Sequence, residues 1–94
     1  MRELAEIRAD LDELDRAMVA LFEKRMHLSQ EVARTKRAQG KPVLDAGREQ
    51  QVLDSRVAML TDSSLSEAVR ALYREIMALS RQEQEKLLRE EHHA

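Results

Sequence analysis

The chain begins, after its first methionine, with RELAEIRADLDELDRAMVALFEKRMHLSQEVARTKRA, residues 2–38. Apolar side chains recur in this stretch at steps of three and four residues, a spacing that places them on one face of a helix. No glycine or proline interrupts the pattern until Gly40 and Pro42, so we predict one continuous helix over about residues 2–38. The stripe consists of Leu4, Ile7, Leu11, Leu14, Met18, Leu21, Leu28 and Val32.

The length of this helix has a consequence for assembly. At 1.5 Å per residue it spans roughly 55 Å, whereas a compact domain of this size has a radius of gyration of roughly 12 Å. Its ends must therefore extend beyond the rest of its own chain. Since the stripe is apolar along the whole helix, we predict a homodimer in which the long helices pack together.

A second, shorter helix follows a loop over residues 42–47. Asp45 is placed to cap its first turn, and we predict a helix over about residues 46–60. Val52 and Leu53 give this helix an inner, apolar face.

Ser64 and Glu67 have the spacing of a capping box and predict the start of a third helix. We predict that it covers about residues 65–89 and that the tail over residues 90–94 frays. The expected fold class is all-α, with long, medium and medium helices in one domain over residues 1–94.

The composition agrees with a helical protein and narrows the possible partners. The 94 residues include two glycines, one proline, no cysteine and 36% charged residues, with a formal net charge of −2. Charges of both signs are interspersed, so nucleic acid and anionic membrane surfaces are not expected partners. Without cysteine, a signal-like start or a long apolar run, we expect a cytoplasmic protein.

One cation interrupts the apolar stripe. Arg25 occupies the position between Leu21 and Leu28, where a buried side chain is expected. A buried guanidinium needs an anion, which is either a carboxylate of the protein that fixes the helix register or a carboxylate of a ligand. Lys36 follows eleven residues later, about three helical turns, and so faces the same side.

Polar residues also interrupt the inner faces of the other two helices. Asp45, Arg48 and Glu49 share one face at the start of the second helix, and Ser80 and Gln84 lie one turn apart in the third. Taken singly, these residues are typical of a helix cap, surface charges and a helix end in solvent. Together they converge in one dimer geometry, which favours a binding site.

Arg8 belongs to this set only through a second chain. It precedes Arg25 by seventeen residues, which is about 25 Å along the helix. In an antiparallel dimer the start of one long helix lies beside the later part of the other. We therefore expect Arg8 of the partner to complete the site.

Nucleophilic and metal chemistry are not indicated. The three histidines, His27, His92 and His93, lack the spacing of metal ligands and are expected at the surface. The sequence has no Ser/His/Asp set, no cysteine and no glycine-rich phosphate loop. We expect neither a metal nor a cofactor.

The polar positions and their spacing resemble the all-helical class of chorismate mutase over about residues 4–84. The resemblance implies an intertwined three-helix homodimer with two equivalent sites. The motifs that carry it are Ile7-Arg8, Leu14-Asp15, Arg25, Lys36, Pro42-Val43-Leu44-Asp45, Arg48-Glu49, Ser80 and Gln84.

The resemblance also implies a role for each polar residue in converting chorismate to prephenate, a step towards phenylalanine and tyrosine. Arg25 and the partner's Arg8 would bind the two carboxylates of chorismate. Lys36 and Gln84 would donate hydrogen bonds to the ether oxygen, and Glu49 would accept a hydrogen bond from the ring hydroxyl. The residues expected to line and order the pocket are Asp45, Arg48 and Ser80.

Two other functions compete with this interpretation. An isochorismate pyruvate lyase of the same fold keeps the arginines, the lysine and the glutamine, but resembles this chain less at Glu49. A non-catalytic helical dimerisation module would require only that Arg25 pair with a carboxylate. Arg81 is a departure from some relatives, which have an apolar residue there, and the sequence does not reveal whether it points into the pocket.

Overall fold

The computed structural model describes residues 1–93, and the side chains up to residue 92. Three α-helices account for most of it: α1 (Leu4–Ala38), α2 (Ala46–Ala58) and α3 (Ser66–His93). A short 3₁₀ turn, Ser63–Leu65, precedes α3. The described residues contain no strand, so the predicted all-α class with a long first helix is confirmed.

A glycine ends α1 where the sequence predicted. Gly40 has a positive φ of 69°, a backbone conformation that glycine adopts without the steric cost of a Cβ. Its amide donates to Arg37 O (3.1 Å), and the amide of Lys41 donates to Lys36 O (2.8 Å). This pair of bonds is the Schellman motif, and it fixes the backbone at Lys36.

The start of α2 is also as predicted. The Oδ1 atom of Asp45 accepts a hydrogen bond from the backbone amide of Arg48 at 3.0 Å, which makes Asp45 the N-cap. The helix ends at Ala58, two residues before the expected end, in a turn that reaches Leu60.

The cap before α3 differs from the prediction, although the helix begins at Ser66, one residue after the expected position. Asp62 is the cap of the 3₁₀ turn: its Oδ1 atom accepts from the backbone amide of Ser64 (3.0 Å) and from the Ser64 hydroxyl (2.6 Å). The Ser64 hydroxyl is therefore engaged as a donor to Asp62. Both residues are good caps, and the extended backbone of Asp62 places its carboxylate over the free amides.

The end of α3 corrects a second expectation. The tail predicted to fray from residue 90 is helical through His93, and Ala94 lies outside the described residues. Glu91 binds two arginines of α1, with Oε1 2.8 Å from Arg34 Nε and Oε2 3.0 Å from Arg37 Nη1. Contacts with residues more than fifty positions earlier thus hold the last turns of α3.

The helices form a flat layer with a small core. α3 packs against both α1 and α2, and the extents of the chain are 56 × 29 × 14 Å. A thickness of 14 Å is little more than the diameter of one helix, and the radius of gyration, 16.8 Å, exceeds the roughly 12 Å of a compact domain. The buried apolar residues are Met26, Ala33, Val52, Leu53 and Met77.

Most of the apolar stripe of α1 is exposed in the single chain. The six stripe residues before Arg25 are between 38% and 64% exposed. Only Met26, Ser29 and Ala33, in the second half of α1, are buried. No helix in the described part of the chain has both the length and the apolar character needed to cross a membrane.

The arginine pair around Glu91 predicts a pH-dependent contribution to stability. Hydrogen bonding to Arg34 first, and then Arg37, holds the pKa of Glu91 below its ordinary value of 4.5, although burial opposes the shift. A carboxylate whose pKa is lowered in the folded state adds stability at pH values above its unfolded-state pKa. This stability is lost as the pH falls through the folded-state pKa. We expect Glu91→Gln to lower the melting temperature at pH 7 and to approach the melting temperature of the unmodified chain at an acidic pH below the lowered pKa of Glu91.

Circular dichroism melts at the two pH values measure this difference. The exposed neighbour Glu90 supplies the matched control, because Glu90→Gln removes one charge from the same helix end. Equal losses in both variants at pH 7 would contradict a specific role for Glu91.

Candidate active site

A cleft of about 370 Å³ lies where the second half of α1, the start of α2 and the middle of α3 meet. Its walls are partly apolar, with contributions from all three helices and the loop before α2. The lining residues are Arg25, Leu28, Ser29, Val32, Lys36, Val43, Asp45, Arg48, Glu49, Val52, Arg56, Met77, Ser80, Arg81 and Gln84.

Seven of the eight residues singled out in the sequence lie in this cleft. They come from separate parts of the chain, and the packing of α3 against α1 and α2 brings them together. Arg8 is the exception, because it lies exposed in the first half of α1 and does not line the cleft of its own chain. The seven are Arg25, Lys36, Asp45, Arg48, Glu49, Ser80 and Gln84.

Arg25 lies against an aromatic ring rather than a carboxylate. Its guanidinium carbon is 5.9 Å from the centroid of the Tyr73 ring, and Arg56 lies at the same distance from that ring. Burial lowers the pKa of Arg25; Tyr73 opposes this shift, while the positive charges of Arg56 and Arg48 add to it. Among the described residues Arg25 forms no ion pair, so its charge is available to an anion.

Lys36 points across the end of the cleft towards the loop before α2. Its Nζ atom donates to the carbonyl of Val43 at 2.7 Å, and the side chain is half-buried. An ammonium group has three N–H donors, so this bond leaves two for a ligand. The Schellman turn fixes the base of the side chain and the Val43 carbonyl orients its tip.

Asp45 and Arg48 organise the first turn of α2. The carboxylate of Asp45 caps the helix through the amide of Arg48, and Arg48 Nη1 donates to Gln51 Oε1 at 2.8 Å. Both side chains are exposed at the mouth of the cleft. Asp45 is therefore a helix cap, as expected, and also a cleft residue.

Glu49 is paired with the residue whose direction the sequence left open. Arg81 points into the cleft, where its Nη1 atom contacts both carboxylate oxygens of Glu49. The two side chains are about one-third and one-quarter exposed, respectively. This pair connects α2 to α3 along one wall of the cleft.

A buried chain of three polar side chains forms another wall. The hydroxyls of Ser29 and Ser80 are 2.6 Å apart, and Gln84 Nε2 donates to Ser80 Oγ at 3.2 Å. Ser80 and Gln84 are each only 6% exposed, so they do not mark a helix end in solvent. Gln84 Oε1 is buried and has no hydrogen-bond partner in the described part of the chain, which is costly unless a ligand supplies one.

Two polar residues of the cleft, Ser29 and Arg56, were not singled out in the sequence, and for Arg81 the sequence left the direction open. Ser29 meets Ser80, a residue 51 positions away. Arg56 lies in the last turn of α2 and reaches the cleft. Arg81 was noticed, but a single position on a helix does not specify which neighbour it meets.

The cleft is strongly cationic in a chain that is acidic overall. Five of its lining residues are basic and two are acidic, an excess of three positive charges against a formal charge of −2 for the whole chain. The described residues contain no group of three or more side chains placed to hold a metal. Of the histidines, His27 and His92 are exposed, and the side chain of His93 lies outside the described residues. Such a cleft suits a small, multiply charged anion that also offers hydrogen-bond acceptors.

Comparison with known protein families identifies one that matches this chain. The sequence profile of chorismate mutase type II matches residues 7–85, a range that contains every residue of the cleft and also Arg8. No curated protein sequence matches the chain.

Proposed function

We propose that this chain, which belongs to the chorismate mutase type II family, catalyses the rearrangement of chorismate to prephenate. The observation that carries the proposal is the cleft, in which Arg25, Lys36 and Gln84 surround a space with an excess of positive charge. Arg25 has no ion-pair partner among the described residues. Biosynthesis of phenylalanine and tyrosine in the cytoplasm is the context that we propose for it.

The residue types suit this reaction. A [3,3] rearrangement within one molecule needs no nucleophile and no net proton transfer. It needs a flexible dianion held in its reactive shape, and donors aimed at the ether oxygen, which gains negative charge as its bond to carbon breaks. In the proposal Arg25 binds a substrate carboxylate and Lys36 donates to the ether oxygen, while Asp45, Arg48 and Ser80 order the pocket.

The amide of Gln84 supplies the second donor. One Nε2–H bonds Ser80, and Oε1 has no partner among the described residues. Rotation of the amide by about 180° would let Oε1 accept from the Ser80 hydroxyl and turn Nε2 towards the substrate. The Ser29 hydroxyl could then donate to Ser80, so all three groups would be satisfied when the site is filled.

A second copy of the chain completes the site in the proposal. The exposed half of the α1 stripe needs an apolar partner, and an adjoining groove of about 360 Å³ runs between α1 and α3 beside Arg25. An antiparallel partner helix along this face would bring its own Arg8 to the cleft. Arg8 would then bind the second carboxylate, in an intertwined homodimer with two equivalent sites.

The competing functions have less support. Isochorismate pyruvate lyase gives no reason for Glu49, which the mutase proposal uses to accept the ring hydroxyl. A plain dimerisation module predicts a carboxylate against Arg25, but the described chain offers Tyr73 and two further cations instead.

The purified protein should consume chorismate and form prephenate. Removing a donor aimed at developing charge typically lowers turnover about 100- to 1,000-fold. We therefore expect Lys36→Ala and Arg25→Ala each to lose at least about 100-fold in kcat while keeping the fold. The loss of chorismate absorbance measures consumption of the substrate, and chromatography measures formation of prephenate.

Lys24→Ala is the matched control, because Lys24 is an exposed lysine on the same helix. A parallel incubation with isochorismate distinguishes the lyase, which would release salicylate. Near-normal turnover in Lys36→Ala, or activity on isochorismate alone, would refute the mutase assignment.

A mixing experiment tests the shared site. Arg8→Ala and Lys36→Ala homodimers should each be nearly inactive. In a heterodimer of the two variants, one site has both defects and the other has neither. Unfolding and refolding an equimolar mixture should restore about one-quarter of wild-type activity, since about half of the dimers are mixed and each has one intact site.

Light scattering of the separate variants should give dimers at micromolar concentration. A mixture no more active than its components would show that Arg8 and Lys36 do not act in one site across an interface. A stable monomer would refute the dimer itself.

Gln84 predicts the pH dependence of the reaction. An amide donates at any ordinary pH, whereas a glutamate in its place would donate only when protonated. Between pH 6 and 8 we expect a nearly flat kcat for the unmodified chain and, for Gln84→Glu, a kcat that falls as the pH rises. A steep fall in the unmodified chain over this range would contradict the role of the amide.

A further inference from the structure

The pairing of Glu49 with Arg81 gives the cleft a feature that the proposed roles leave unused. Both residues line the cleft, and one nitrogen of Arg81 lies against both oxygens of the carboxylate. The carboxylate expected to accept a hydrogen bond from the ring hydroxyl is thus in contact with a cation of its own chain.

The contact leaves Glu49 able to accept another hydrogen bond. A carboxylate has about four lone-pair positions, and a single nitrogen on the two oxygens cannot use all of them. The Arg81 contact restricts the rotation of the carboxylate and holds it against the wall formed by α2 and α3. A hydroxyl entering the cleft would therefore meet an acceptor that is already oriented.

The charge of Arg81 matters as much as its geometry. An unpaired Glu49 would repel a dianionic substrate in a partly buried cleft, where charges are screened less than in water. The positive charge of Arg81 offsets that repulsion. Because the guanidinium of Arg81 is paired with Glu49, it is less available to bind the substrate directly. This differs from Arg25, which has no carboxylate partner in the described chain and is available to the substrate.

We propose that Arg81 is a positioning residue that acts through Glu49. Arg81 orients this carboxylate and balances its charge, so that Glu49 can accept a hydrogen bond from the ring hydroxyl of an anionic substrate. The inference rests on the proposed mutase function. It assigns Arg81 no direct contact with the reacting atoms.

A double-mutant cycle with Glu49→Gln tests this directly. We expect Arg81→Met to lower kcat/KM for chorismate about tenfold, chiefly by raising KM, because the lost interaction affects bound substrate and transition state alike. In the Glu49→Gln background the same change should have less than about a twofold effect, since the partner through which Arg81 acts is gone. Arg81→Lys keeps the charge and should recover most of the activity.

Arg89→Met is the matched control, an exposed arginine two turns further along α3, and it should leave both constants unchanged. Circular dichroism and light scattering report whether each variant keeps the fold and assembly of the unmodified chain. If Arg81→Met unfolds, Arg81→Lys and Arg81→Gln, each measured with and without Glu49→Gln, give the same comparison.

Two results would overturn the inference. Arg81→Met with unchanged kcat and KM would mean that the pair has no role in binding. Losses that multiply in the double variant would mean that Arg81 contacts the substrate independently of Glu49. Failure of the proposed function is a separate outcome, because the unmodified protein would then not convert chorismate at all.

Discussion

A helix of 35 residues extends about 52 Å, and α3 covers only the second half of it. The chain therefore forms a layer 14 Å thick instead of a bundle around a central core. The first half of α1 presents its apolar side chains outwards, and the second half packs against α3, which also packs against α2. The cleft lies in that second region, where three helices come close enough to share one space.

The ends of the helices determine much of what the cleft contains. The Schellman turn at Gly40 fixes Lys36 at the end of α1, and the Asp45 cap fixes Glu49 one turn into α2. The inner face of α3 adds Ser80 and Gln84, which are buried although polar. Local signals thus fix where each helix begins or ends, and the packing of α3 against α1 and α2 brings the side chains around one small volume.

Helix periodicity and the residues at helix ends predicted the fold class, the end of α1 and the start of α2. The capping residue expected before α3 was wrong because Asp62 and Ser64 are both good caps, and only the backbone conformation selects Asp62. The predicted end of α3 was wrong because Glu91 pairs with Arg34 and Arg37 of α1, contacts that a local pattern does not show. Seven cleft residues were predicted from the helical spacing of polar positions and from the family resemblance. Ser29, Arg56 and the direction of Arg81 depend on contacts between helices that no local pattern specifies.

The cluster around Tyr73 links the folding of the chain to the anions in its surroundings. Burial beside Arg56 and Arg48 disfavours the charged form of Arg25, so the desolvation of this cation and its repulsion by two neighbouring cations act against folding. An anion that binds there relieves this cost and stabilises the folded state in proportion to its occupancy. If phosphate or sulfate from a buffer bound Arg25, heat resistance would depend on the solution as well as on the sequence.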